Sequence, residues 1–275
     1  MRRFVDESGL LRVWDRGRDR AFSTSPGSVA SETDFYLVPE LAATGGDPLE
    51  MERQFADLEY DASLITEQWV EWVRDYDPMT QLPIPDVNRE LISLFIALQF
   101  LRTRDARDIL ARGEESDHRQ RKLHTQLLWD DGLVSELAER ISSCTWIFAY
   151  NNSDLSLITS DNPVTLRTAD NRMWLRRGIL TTGTYVGYPL APDVMMYCHP
   201  PEPPWNGNLR DRFGDRISPV AFTDGMASSE NTGQIYMASR FTIANRDLTD
   251  EERHFATTIG TDIYAPPEYR DKNRQ

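Results

Sequence analysis

Residues Leu91–Leu101 (LISLFIALQFL) leave a folded chain few options, because only Ser93 and Gln99 in this run are polar. A segment that is apolar on every side has to be buried on every side, so other elements must wrap around it. Asp75–Pro85 carries three prolines and breaks what precedes it; Asp86 or Asn88 then caps a helix over Asn88–Leu110. Gln99 lies three residues before Arg102 and four before Thr103, so these side chains share a face. A buried amide and guanidinium need partners, since stranding them costs several kcal/mol.

A second helix is expected ahead of it, over Asp47–Tyr76. Asp47 can cap, Pro48 fits the first helical position and Glu50 the capping-box position. Met51, Phe55, Leu58, Ala62, Ile65, Trp69 and Trp72 follow at steps of four and three, the stripe of an amphipathic helix. Glu59 borders that stripe and should face Gln99 or Arg102, with Glu52 farther out. Helical signals continue from Glu114–Asp117 through Leu123 and Leu127, and again at Leu133, Leu137 and Ile141.

From Ser143 the pattern changes. Thr145–Tyr150 (TWIFAY) reads as a strand, Asn151–Asp154 as a turn and Leu155–Thr159 as the returning strand. Further strands are expected at Val164–Arg167, Leu180–Leu190, Val194–His199 and Phe241–Ala244. Met226–Met237 fits a helix weakened by Gly233, and Thr249–Gly260 a short helix capped by Thr249 ahead of Glu252. Near the start, Leu10–Trp14 and Asp34–Val38 read as strands and residues 21–34 as loop. The expectation is one α+β domain over residues 1–265, with a helical half (47–142) packed on a small, mainly antiparallel sheet from a β-rich half (143–245). A polar tail, 266–275, follows.

The formal net charge of −14 opposes non-specific nucleic-acid binding, which needs clustered Lys and Arg. No apolar run reaches the roughly 20 residues that span a bilayer, so no membrane association is expected. Cys144 and Cys198 give no disulfide framework, which makes a reducing cytosol the expected compartment.

Several stretches carry a resemblance in order along the chain. They are Leu49-Glu50, Phe55, Leu58-Glu59, Phe95–Thr103 (FIALQFLRT), Ile158–Pro163 (ITSDNP) and Tyr188–Pro192 (YPLAP). Together they resemble the family called domain of unknown function 4238, over roughly residues 3–245. The Phe-Ile-Ala-x-Gln-x-x-Arg and Ser-Asp-x-Pro elements are the most specific, and Arg2-Arg3-Phe4 with Leu10–Asp15 fits the family's early strand. Members generally carry a His-x-x-Pro-x-x-Tyr-Leu stretch just ahead of this point; the present sequence begins after it. The resemblance implies no function.

Candidate site residues are Glu59, Gln99, Arg102 and Asp161, with Glu52 beside them. Carboxylates, an amide and an arginine could run acid–base chemistry, hold a divalent metal or grip a phosphate, which the planar guanidinium fork suits. The expectation is a hydrolase acting on a phosphodiester or another phosphate-bearing, nucleotide-like small molecule. The alternative is a non-enzymatic binding or interaction module. In it Arg102 pairs with Glu59 to hold two helices together, and Asp161 caps its own turn. Arg119-x4-His124 resembles the motif of the all-helical HEPN ribonucleases, but the β-rich half argues against that fold. His118, His124, His199 and His254 lack zinc spacing. Cys198 and His199 are strand neighbours that point to opposite faces, so they form no dyad.

Overall fold

The computed structural model describes residues 1–29, 49–80, 82–103, 131–175, 183–202, 209, 212–213, 216–223 and 225–259. The expected strand at Asp34–Val38, the capping residues Asp47 and Pro48, the helical signals at 114–127 and the tail lie outside these. The class is α+β, as the sequence indicates.

Helix α1 spans Glu50–Arg74 and helix α2 spans Asp86–Leu101. They pack on each other, and α2 also runs along α3, Asp131–Ser143. Ala62, Trp69, Val70 and Val73 are the buried side of α1. On α2, Ile92, Ser93, Phe95–Gln99 and Leu101 are buried, so the apolar run is enclosed as its composition requires. Arg89 on the same helix is buried too; its guanidinium donates to the Ser142 and Cys144 carbonyls and lies 4.3 Å over the Trp146 ring.

α2 ends at Leu101, and the part of the expected helix beyond Thr103 lies outside the described residues. Arg102 has left helical geometry (φ −80°, ψ 3°) while its N–H still reaches the Leu98 carbonyl. The Thr103 hydroxyl donates to the Phe100 carbonyl at 3.0 Å, occupying an acceptor the last turn leaves open.

The strands are β1 (Leu11–Asp15), β2 (Arg20–Thr24), β3 (Leu82–Pro83), β4 (Thr145–Tyr150), β5 (Thr159–Ser160) and β6 (Thr165–Thr168). Then come β7 (Thr184–Ala191), β8 (Val194–His199), β9 (Arg216–Ile217), β10 (Val220–Ala221) and β11 (Phe241–Ala244). Helices α4 (Met226–Met237) and α5 (Asp250–Thr258) flank β11. A five-stranded sheet runs β10-β4-β8-β7-β6 and is antiparallel except for β10 beside β4.

Alternation divides that sheet into two faces. Trp146, Phe148, Leu166, Val186, Leu190, Met196 and Cys198 join Trp69, Val73, Ile92 and Ile96 in the core under α1 and α2. Trp69 meets Trp146 and Phe148 edge-on, at 5.7 and 5.6 Å. The other face carries Ile147, Ala149, Tyr185, Met195 and Tyr197, clustered with Ala227 of α4.

A second sheet, β2-β1-β11-β5, is antiparallel throughout. It brings two corrections. Residues 21–24, expected as loop, belong to a strand, Arg20–Thr24, in full register with β1, and Phe22 has an edge-on partner in Phe241 across β1. Leu155–Thr159 is not the strand returning beside β4, whose neighbours are β8 and β10. The backbone of 155–158 is held instead by Asn151 Nδ2 on the Leu155 carbonyl, the Pro192 carbonyl and the Asn231 side chain.

Helix α4 has its expected bounds, yet its buried side is polar. Asn231 takes the Ile158 N–H and donates to the Ser156 carbonyl and to Glu252; Gln234 donates to the Pro163 carbonyl and accepts from Ser160. Gly233 is where Trp174 packs: a Cβ there would sit 2.5 Å from two ring carbons. At α5 the Thr249–Glu252 capping box forms as read from the sequence.

Candidate functional site

Glu59 and Arg102 meet where α1 crosses the end of α2. Arg102 donates to Glu59 Oε1 in an ion pair whose members remain 24% and 47% exposed. Gln99, on the turn before, is buried. Tyr188 stands in electrostatic reach of both the pair and Arg3: burial pushes its phenol up, Arg3 and Arg102 pull it down, and Glu59 raises it again. Arg3 donates to the Leu190 and Ser63 carbonyls and the Thr66 hydroxyl, all neutral, with Glu67 the nearby carboxylate that favours its charge. Tyr188 is positioned by Phe95 of α2, edge-on at 6.3 Å. So the N-terminal turn, α1, the end of α2 and β7 all bring polar groups to this place.

Asp161 is occupied elsewhere. Its carboxylate accepts the backbone N–H groups of Ser239, Arg240 and Phe241, at 2.8 to 3.1 Å. It ties the turn after β5 to the start of β11. The cap of its own turn is Ser160, whose hydroxyl takes the Asn162 N–H. Arg240 in turn pairs with buried Asp15, held below the usual carboxylate range by that pairing. Among the described residues no group of three His, Cys, Asp or Glu stands ready to hold a metal ion. His118, Arg119 and His124 lie outside the described residues.

A further polar cluster sits on the other face of the five-stranded sheet, and sequence reading missed it. Glu230 of α4 is 4% exposed and accepts from Arg167 of β6 at 3.0 Å. Arg167 also donates to Ser229 Oγ and the Asn171 carbonyl, and its guanidinium lies 4.6 Å over Trp174. Tyr185 donates to Asn171 Oδ1 and stacks on His199; Tyr197 stands edge-on to Tyr185. Burial raises Glu230 to about 7, against the pull of Arg167, and lowers His199 to about 4. The only available signals were the alternation of Thr165 with Arg167 and of Tyr197 with His199, and neither names a partner on α4.

Among the described residues no helix is long and apolar enough to cross a membrane. The arrangement is that of an α+β protein with two polar centres on opposite faces of one sheet. The chain belongs to a family of proteins of unknown function, DUF4238, whose profile matches residues 1–247. No curated protein and no solved structure matches it.

Proposed function

We propose that the chain is a hydrolase acting on a phosphodiester or another phosphate-bearing small molecule at the Glu59–Arg102 centre. The observation behind this reading is the convergence of Arg3, Arg102 and Tyr188 beside a half-exposed carboxylate. Guanidinium forks and a phenol are the donors a phosphate selects. Arg102 would exchange Glu59 for the substrate anion. Glu59, released, would take the proton of an attacking water as the water oxygen bonds to phosphorus and the ester P–O bond breaks, then return that proton to the leaving alkoxide, and buried Gln99 would fix the end of α2. Asp161 stays out of this site as an anchor of β11. A single domain over 1–265 and a cytosolic location belong to the same reading. Contacts of α4 with strands of both sheets and the two free, buried cysteines support them.

A second reading, a non-enzymatic module in which the pair only ties α1 to α2, is favoured by one fact: Arg102 already has a partner. Turnover of chromogenic phosphodiesters and phosphomonoesters, with and without divalent metals, separates the two. The hydrolase reading expects activity in wild type that is lost in Arg102→Met and Glu59→Gln. Equal inactivity of all three proteins supports the module.

A further inference from the structure

Glu230 reaches across α4 onto the five-stranded sheet with its two carboxylate oxygens in different situations. Oε1 is matched by Arg167. Oε2, the Tyr197 hydroxyl and Arg167 Nε are buried without a hydrogen bond of normal geometry. Such orphans in a tightly packed place need an occupant or a proton.

The sheet side of Glu230 Oε2 is closely packed. Glu230 Oε2 lies over Gly187, where a Cβ would come within 2.8 Å of Thr165 Oγ1, 2.9 Å of Met195 Cε and 3.8 Å of Oε2 itself. On the neighbouring turn of α4, Gly233 is filled to 2.5 Å by Trp174. A proton needs no added space. With Oε2 protonated, the acid donates toward the Tyr197 oxygen, and one hydrogen bond answers two of the three orphans.

We propose that Glu230, Arg167 and Tyr197 form a proton-operated latch, which holds α4 against the β6–β7 turn while Glu230 is protonated and slackens when it ionises. The part that slackens is residues 168–174, tied to α4 by Arg167 and by Trp174 on Gly233.

The sign follows from linkage. Shut, Glu230 is raised from 4.5 to about 7, with burial the largest cause. Open to water, it returns toward its ordinary value. Protons therefore favour the shut form, and its advantage, complete below about 4.5, is lost as pH rises to about 7.

The charged and titratable groups facing Glu230 are Arg167 on β6, Tyr185 on β7 and Tyr197 on β8, with His199 stacked on Tyr185. Asp170 and Arg172 are on the exposed turn, and Glu252 of α5 faces Arg246 and Asn231 instead. The tyrosines are pushed upward by burial and stay neutral throughout. His199 belongs to β8, which the slackening turn does not carry with it.

The test is amide hydrogen exchange of the full chain at pH 5 and pH 8, corrected for intrinsic rates, read on peptides covering 165–175 and 226–237. Wild type should lose protection there by at least about tenfold between the two pH values. Glu230→Gln, neutral at both, should show no such loss. Tyr197→Phe removes the oxygen that accepts from the protonated acid, so its protection at pH 5 should already be lower and its loss between the two pH values smaller than that of wild type, and it serves as the second arm if Glu230→Gln fails to fold. Unchanged protection in wild type overturns the latch, as does a pH response that survives in Glu230→Gln or is no smaller in Tyr197→Phe.

Discussion

Arg102 closes on Glu59 from 43 positions farther along the chain, joining the end of α2 to the middle of α1. Its neighbours in sequence are an apolar run, yet the pair stays partly open to solvent, with Glu59 47% exposed. Partly exposed pairs are worth about 0–1 kcal/mol, against roughly 3–5 kcal/mol for breaking a buried one. Arg102→Ala and Arg102→Met should therefore both melt within a few degrees of wild type by calorimetry. A large loss in Arg102→Ala alone would mark the pair as a structural tie.

Asp161 should behave in the opposite way. Its removal strands three backbone N–H groups where the turn after β5 meets β11. Asp161→Ala should cost about 2–4 kcal/mol in urea unfolding, since hydrogen bonds to a charged group contribute about 1.5–3 kcal/mol each but are not additive. Asp161→Asn, which keeps one acceptor oxygen, should cost less.

Gly233→Ala sets two effects against each other. Alanine improves an α-helix by about 1 kcal/mol over glycine. The added methyl would, however, meet the Trp174 ring at 2.5 Å, and ring carbons held between Arg167 and α4 have little freedom to move. Overpacking costs about 1–3 kcal/mol, so the variant should be net destabilised in chemical melts. Gly27→Ala, with open space around its Cβ, should be close to neutral.

Global stability against pH should show two buried groups acting in opposite directions. Glu230, raised to about 7, contributes stability that is complete below about 4.5 and lost as pH rises to about 7. His199, lowered to about 4, contributes stability that is complete above about 6.5 and lost as pH falls through about 4. Wild type should thus vary little between pH 5 and 7. Glu230→Gln leaves only the histidine, so its stability relative to wild type should rise over that interval by about 2 kcal/mol in urea unfolding.

The elements were legible where a period or a cap wrote them locally. The stripe from Leu58 to Trp72 specified α1, the apolar run specified α2, and Thr249 with Glu252 specified the start of α5. Pairing was harder to read. Leu155–Thr159 alternates like a strand, but its backbone partners are Asn231 and Pro192, far along the chain. Phe22 in Arg20–Thr24 has its edge-on partner, Phe241, across β1. At the site, Glu59 and Arg102 could be matched from helix geometry. Asp161 could not be placed, because its partners are three backbone groups that no side-chain pattern announces. Glu230 looked like one carboxylate among many until the sheet brought Arg167, Tyr197 and Gly187 beneath it.

The claim that Arg102, with Arg3 and Tyr188 beside it, receives a phosphate is tested most directly by titrating the full chain with inorganic phosphate and pyrophosphate, followed by calorimetry. Wild type should bind saturably, and Arg102→Met, melting like wild type, should bind at least about tenfold more weakly, the loss of one charged contact. No saturable binding by wild type, or equal binding by both proteins, would contradict the account.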